Sequence, residues 1–215
     1  AQVDQSSQAV NHLSTIEYVW SFYNPMSPRH YRDFKIQWGK RYLHYGAIYL
    51  TKDMKLYILT AVWDKTPNAH KLMIYGSLIA SQMSMETVAK MMTAGMKVGS
   101  VVCNGLFGNP DMFKEDTKSV AASLNKEFAH ASKQKNYKRS LYVREPEMFD
   151  RNGSIALADL LFSKDIIVCH PMAKEASRQF SSWYIDKGKP AEGFPHCEAL
   201  LMIISELNRV VKFKK

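Results

Sequence analysis

The chain has 215 residues and carries 29 Lys or Arg against 20 Asp or Glu, a formal net charge of +9, with hydrophobic residues at 46% and charged residues at 23%. That balance excludes a disordered body. No apolar run approaches the roughly 18 residues of a membrane span, and the three scattered cysteines, Cys103, Cys169 and Cys197, exclude a disulfide framework. Residues 1–15 are polar and lack Lys and Arg, so secretory or mitochondrial targeting fits poorly. A non-secreted protein of the cytoplasm or a virion is expected.

In chain order, Val10, Leu13, Ile16, Val19, Trp20 and Tyr23 recur at three-to-four spacing and predict an amphipathic helix over 8–23, ending before Pro25 and Pro28. Phe34, Ile36 and Trp38 alternate with Lys35 and Gln37, the two-residue period of a strand. Segments 42–51 and 54–63 are rich in Tyr, Ile and Leu and predict a hairpin that turns around Lys52 and Asp53. From Leu72 to Met96, Ala, Met and Leu predict helices divided at Ser84, which caps the second. The glycines of 99–111 mark a connection, after which Asp111 caps a helix from Met112 to about Lys133. Leu141 to Val143 is a short extended piece. Ser154 opens a helix containing Ile155, Leu157, Leu160, Leu161 and Phe162; another starts near Pro171 and is ended by Gly188 and Pro190. The last helix covers about His196 to Val211.

The fold class expected from this layout is α+β, predominantly α-helical: an N-terminal helix and a small antiparallel β-hairpin element, followed by a helical bundle-like body. Three regions are expected: an arm and helix over 1–28, a basic hairpin region over 29–66, and a mainly helical body over 67–215. The body carries a basic loop at 133–144 and a basic tail.

Charge is distributed by segment. Residues 1–28 hold Asp4 and Glu17 and no cation, whereas 29–55 interleave Arg29, Arg32, Lys35, Lys40, Arg41, Lys52 and Lys55 with Tyr31, Trp38, Tyr42, Tyr45 and Tyr49. The run 133–144 holds Lys133, Lys135, Lys138, Arg139 and Arg144, with Tyr137 and Tyr142 among them and no acid. Cations for phosphates and rings for bases are the ingredients of sequence-tolerant nucleic-acid binding. The candidate nucleic-acid-binding residues are therefore Arg29, Arg32, Lys35, Lys40, Arg41, Lys133, Lys135, Tyr137, Lys138, Arg139, Tyr142 and Arg144. If the separated segments meet, they form one groove.

Motifs for chemistry are weak. Cys169-His170 and His196-Cys197 lack the two-to-four spacing of paired zinc ligands, and His196-Cys197-Glu198 lacks the H-x-E order of a zinc deaminase. There is no G-x-S-x-G and no phosphate-binding glycine loop. Acids are too scattered to nominate a two-metal nuclease, although Asp111, Glu115 and Asp116 lie close in sequence. No catalytic residue, no metal and no cofactor are expected.

The function expected is structural and non-enzymatic: a viral nucleocapsid or coat subunit that packages single-stranded RNA without reading sequence and self-associates, with DNA not excluded. A matrix-type protein on anionic membrane is an alternative, with membrane the less favoured partner. A metal-independent RNA-processing enzyme using His30, His44 or His70 as acid and base is another.

Overall fold

The computed structural model describes residues 21–22, 26–96, 103–185 and 193–211. Strand β1 (Ser21–Phe22) pairs antiparallel with β8 (Tyr184–Ile185) in a two-stranded ribbon. The hairpin is present: β2 (Tyr42–Leu50) runs antiparallel to β3 (Leu56–Asp64), from Tyr42 opposite Asp64 to Leu50 opposite Leu56. Met54 takes φ 62° in the connecting turn, and the Thr51 and Lys55 main chains close it at 3.0 Å. Strand β4 (Lys71–Ala80) continues the meander against β3.

Three further strands, β5 (Cys103–Gly108), β6 (Val143–Arg144) and β7 (Ile167–Cys169), join in parallel to give the order β6-β5-β2-β3-β4-β7. Only β3 runs against the other five. The result is a mixed α+β fold with a mostly parallel central sheet flanked by helices, in agreement with the expected class.

Parallel strands need covered faces, and both are covered. Alternate side chains of β2 and β3 divide between two cores. Tyr45, Ala47, Leu59 and Ala61 face α3 (Arg151–Ser163), α4 (Lys174–Ser182) and α5 (Pro195–Val211). Ile48, Leu50, Leu56 and Ile58 face α1 (Met85–Gly95) and α2 (Val120–Gln134). Helix α5 lies over β2 and β3, and Leu200, Leu201, Ile203 and Ile204 are fully buried.

Several elements depart from expectation for identifiable reasons. Residues 71–80 are strand, not helix: a strand covered on both faces shows no polar alternation, so its apolar run mimics a buried helix. Ser84 does cap the next helix, accepting from the Thr87 N–H at 3.1 Å. The glycine-bearing connection contains central strand β5. A Cβ on Gly46 would stand 2.9 Å from a Leu106 methyl, so small residues there allow β2 and β5 to pair.

Helix α2 begins at Ser119, whose hydroxyl accepts from Ala122 N–H at 3.0 Å, and not at Asp111. Glu115 and Asp116 have φ of 70° and 49°, which breaks any helix passing through them. Residues 32–38 form no strand; Ile36 is exposed, so their alternation has no core to face. The expected helix over 8–23 lies mostly outside the described residues, and at its end Ser21–Phe22 is strand. The tail cations Lys212, Lys214 and Lys215 also lie outside them.

Candidate functional site

Strand order locates a crevice before any side chain is considered. The chain leaves β2 toward β3 on one side and reaches β6 from β5 on the other, so β2 and β5 are parallel neighbours whose continuations diverge. The space beyond the carboxyl ends of such a pair is where open α/β sheets take ligands. Here a cavity of about 380 Å³ occupies that position, and Tyr49, Asn109, Asp111, Glu145, Arg151 and Glu198 contribute to its lining.

Asn109 fixes its floor. The side-chain Oδ1 accepts from Leu50 N–H at 2.8 Å and Nδ2 donates to the Leu50 carbonyl at 3.0 Å. One amide thus imitates a strand partner just past the final β2–β5 pair, Ile48 with Gly108. The walls come from two helix starts. Arg151 is the first residue of α3, whose cap Asp150 accepts from Gly153 N–H at 3.0 Å. Glu198 lies in the first turn of α5, where the helix dipole favours a carboxylate.

Arg151 and Glu198 meet across this space. The Nε donates to both carboxylate oxygens, at 3.3 and 3.1 Å, and Nη2 donates to Oε1 at 2.8 Å. The two side chains are only 14% and 5% exposed. Burial pushes the Tyr49 phenol up, Glu198 and Asp111 push it further, and Arg151 opposes them, so one hydroxyl senses all three charges.

A two-metal nuclease centre needs carboxylates converged tightly enough to hold ions about 4 Å apart. Among the described residues no three His, Cys, Asp or Glu side chains form a group able to hold a metal ion. The described residues do not fit such a centre.

Most of the sequence-predicted binding residues fall on opposite borders of the sheet, with Lys40 and Arg41 at the start of interior strand β2. Tyr31 bridges to Cys169 on β7, which places Arg29, Arg32 and Lys35 beside that edge. Arg29 is bound to Asp165 at 2.7 Å, and Arg32 donates to the Tyr31 carbonyl at 3.1 Å. Lys40 and Arg41 precede β2; Lys40 is exposed, while Arg41 grips Asp64 with two bonds of 2.8 and 3.1 Å. Lys133, Lys135, Lys138 and Arg139 are exposed beside the β6 edge. Edge strands β6 and β7 are five inter-strand spacings apart, about 24 Å, so the cations beside them do not share one groove.

The β6 side brings its own residues together. Arg139, Tyr142 and Arg144 line a second cavity of about 200 Å³ with Cys103 and Asn104. Tyr142 is 65% exposed, whereas Tyr137 is half-buried against the core of α1 and α2. Arg144 lies over the Phe107 ring at 5.4 Å. Immediately after it, Glu145 lines the crevice at the β2–β5 ends, so basic loop and crevice are consecutive along one edge.

No protein-family profile matches the sequence, and no curated protein matches it. Solved structures do. The nuclease domain of the P22 large terminase matches with a TM-score of 0.57 at 10% identity, over 81% of this chain and 85% of that one. The fold is similar to that of a large-terminase nuclease domain. The large terminase of a thermophilic bacteriophage matches with a TM-score of 0.59 at 15% identity, covering 90% of this chain and 45% of that chain. The HK97 bacteriophage large terminase matches with a TM-score of 0.54 at 10% identity, covering 94% and 48%. This chain therefore spans about half the length of those two terminases.

These neighbours overturn the expected nucleocapsid or coat subunit packaging single-stranded RNA and self-associating. The expectation of a non-enzymatic protein falls with it, since the fold is shared with the nuclease domain of an enzyme. The error has a physical origin: phosphate attraction is the same for capsid and enzyme, RNA and DNA, so basic charge alone does not separate them. The site residues that sequence reasoning missed are Tyr49, Asn109, Glu145, Arg151 and Glu198.

Proposed function

We propose that this chain is a DNA-processing module of the large-terminase nuclease type, from a virus and acting in the host cell during virion assembly. The observation that carries the reading is the match of most of this chain to most of an isolated nuclease domain. The cavity at the switch point of the sheet supports it independently, because topology alone designates that place for a ligand.

In this reading DNA lies along the β6 border. Lys133, Lys135, Lys138, Arg139 and Arg144 meet backbone phosphates, and Tyr142 offers a ring to an unstacked base. The phosphodiester nearest Glu145 then faces the crevice. The reaction class is hydrolysis, in which negative charge builds on the phosphoryl oxygens and a proton must leave water and reach the departing oxygen. Arg151 is the cation positioned near that charge, and Asp111 and Glu145 are the carboxylates able to accept and return a proton. Arg29, Arg32 and Lys35, at the far edge, have no part in this path.

Duplex binding tests the reading directly. Affinity is expected to fall steeply with salt, and replacing Lys135, Lys138 and Arg139 together by Ala is expected to make the log–log salt slope shallower by about 2 to 3. The same variant should melt as the parent does. Unchanged binding, or none by the parent protein, refutes the proposal.

A further inference from the structure

The crevice contains one arrangement that DNA binding by the basic loop leaves unexplained. Arg151 and Glu198 come from different helices and are almost completely withdrawn from water. Burying two charges is costly, and an apolar pair of similar size would join α3 to α5 at least as firmly. Stability therefore does not account for the pair. Its position does bear on function, because it stands inside the cavity at the ends of β2 and β5, next to Tyr49 and Asn109.

Phosphodiester chemistry calls for positive charge in such a place, commonly from divalent ions held by carboxylates. Here Glu198, the most buried carboxylate of the cavity, already has both oxygens engaged by a guanidinium at 2.8 to 3.3 Å. An arginine keeps its charge across the whole working pH range and matches a carboxylate with two parallel bonds, so it is a lasting occupant. The remaining acids do not gather into a metal-holding group among the described residues.

We infer that Arg151 is the resident cation of the crevice: its guanidinium takes the place at Glu198 that a divalent ion would otherwise fill, and DNA is engaged there without one. The part concerning DNA rests on the function proposed above. The part concerning the cation depends on the protein alone.

The test uses the whole chain as wild type, Arg151→Met, Glu198→Gln and the double variant. Thermal melts are run in EDTA and in millimolar Mn2+, and Mn2+ binding is read from the loss of its free-ion electron paramagnetic resonance signal. The wild type is expected to melt identically in both solutions and to leave the Mn2+ signal unchanged. Arg151→Met strands a buried carboxylate and is expected to melt roughly 10 °C lower in EDTA. Mn2+ should restore part of that loss, and the double variant should lose the response.

A Mn2+-dependent rise in the wild type that Glu198→Gln removes overturns the inference, as does a folded Arg151→Met with no Mn2+ response. Should Arg151→Met not fold, wild type against Glu198→Gln decides: DNA affinity of the wild type is expected to agree within about twofold between EDTA and Mg2+ after matching ionic strength. A Mg2+ enhancement that Glu198→Gln abolishes refutes it. Absence of any DNA binding by the wild type refutes the proposed function instead, and the melts then judge the cation claim by themselves.

Discussion

Replacing Asn109 by Ala removes the amide that ties β5 to the end of β2. Two hydrogen bonds are lost, at 2.8 and 3.0 Å, and both partners belong to the backbone of Leu50, which is 5% exposed. Water cannot readily replace the amide there. A buried donor or acceptor left unmade costs about 1–3 kcal/mol, so losing both is expected to cost about 2–6 kcal/mol. Against a typical total of about 5–15 kcal/mol this is a large share, corresponding to a fall of roughly 5–15 °C in Tm for a chain of this size. Asn109→Asp keeps the acceptor for Leu50 N–H but turns an anion toward the Leu50 carbonyl, and is expected to cost more than the alanine. Urea and thermal unfolding followed by circular dichroism measure both. A loss below about 1 kcal/mol for Asn109→Ala, or an aspartate variant as stable as the parent, refutes the view that this amide is the clamp of the crevice floor.

Two pH effects follow from named side chains, and one packing effect from a glycine. Bonding to Arg41, supported by Thr66, lowers the Asp64 carboxyl to about 2. A depressed carboxyl contributes stability above its ordinary value near 4 and loses it as pH falls toward about 2; Asp64→Asn should abolish that part of the acid transition in urea titrations. His196 is lowered to about 4 by burial. Its neutral ring bonds Gln179 at 3.2 Å and Leu78 at 3.3 Å. Because the unfolded chain takes a proton that the folded ring resists, stability is full above about 6.5 and declines toward about 4, and NMR titration should find this imidazole neutral at pH 5.5. Gly108→Ala would place a Cβ 2.7 Å from Met112 Sδ, 3.1 Å from Val143 and 3.2 Å from Phe113. Equilibrium unfolding should show a loss of about 1–3 kcal/mol, since three walls must yield.

The sequence made some of this legible because local rules and tertiary demands coincide. The 42–63 hairpin has a short connection and β-rich arms, and α5 carries the apolar run Ala199–Ile204 with Leu207 one turn beyond Ile203. Strand β5 was hidden because its fit requires Gly105 and Gly108, residues that locally signal a turn. Strand β7 has only three residues, too few for a period to emerge. The site was less accessible still. Arg151 and Glu198 are 47 positions apart, and neither belongs to a motif. His196-Cys197-Glu198 invited a search for zinc spacing, whereas the significant member was the acid and its partner lay on another helix. Asp111 stood out as a possible helix cap and as a sequence neighbour of Glu115 and Asp116, neither of which points to this crevice.

The location of α5 has a consequence for how the protein is made. This helix closes the face of the sheet formed by Tyr45, Ala47, Leu59 and Ala61, yet it follows the hairpin by about 150 residues. At a synthesis rate of about 5–20 residues per second, the hairpin leaves the ribosome roughly 8–30 s before its cover. For that interval a broad apolar sheet surface is exposed on the nascent chain, and Glu198 has not yet been made. Production of the folded chain is therefore expected to depend on a holding chaperone at early lengths and to fall when translation is slowed, and the crevice comes into being only as α5 docks.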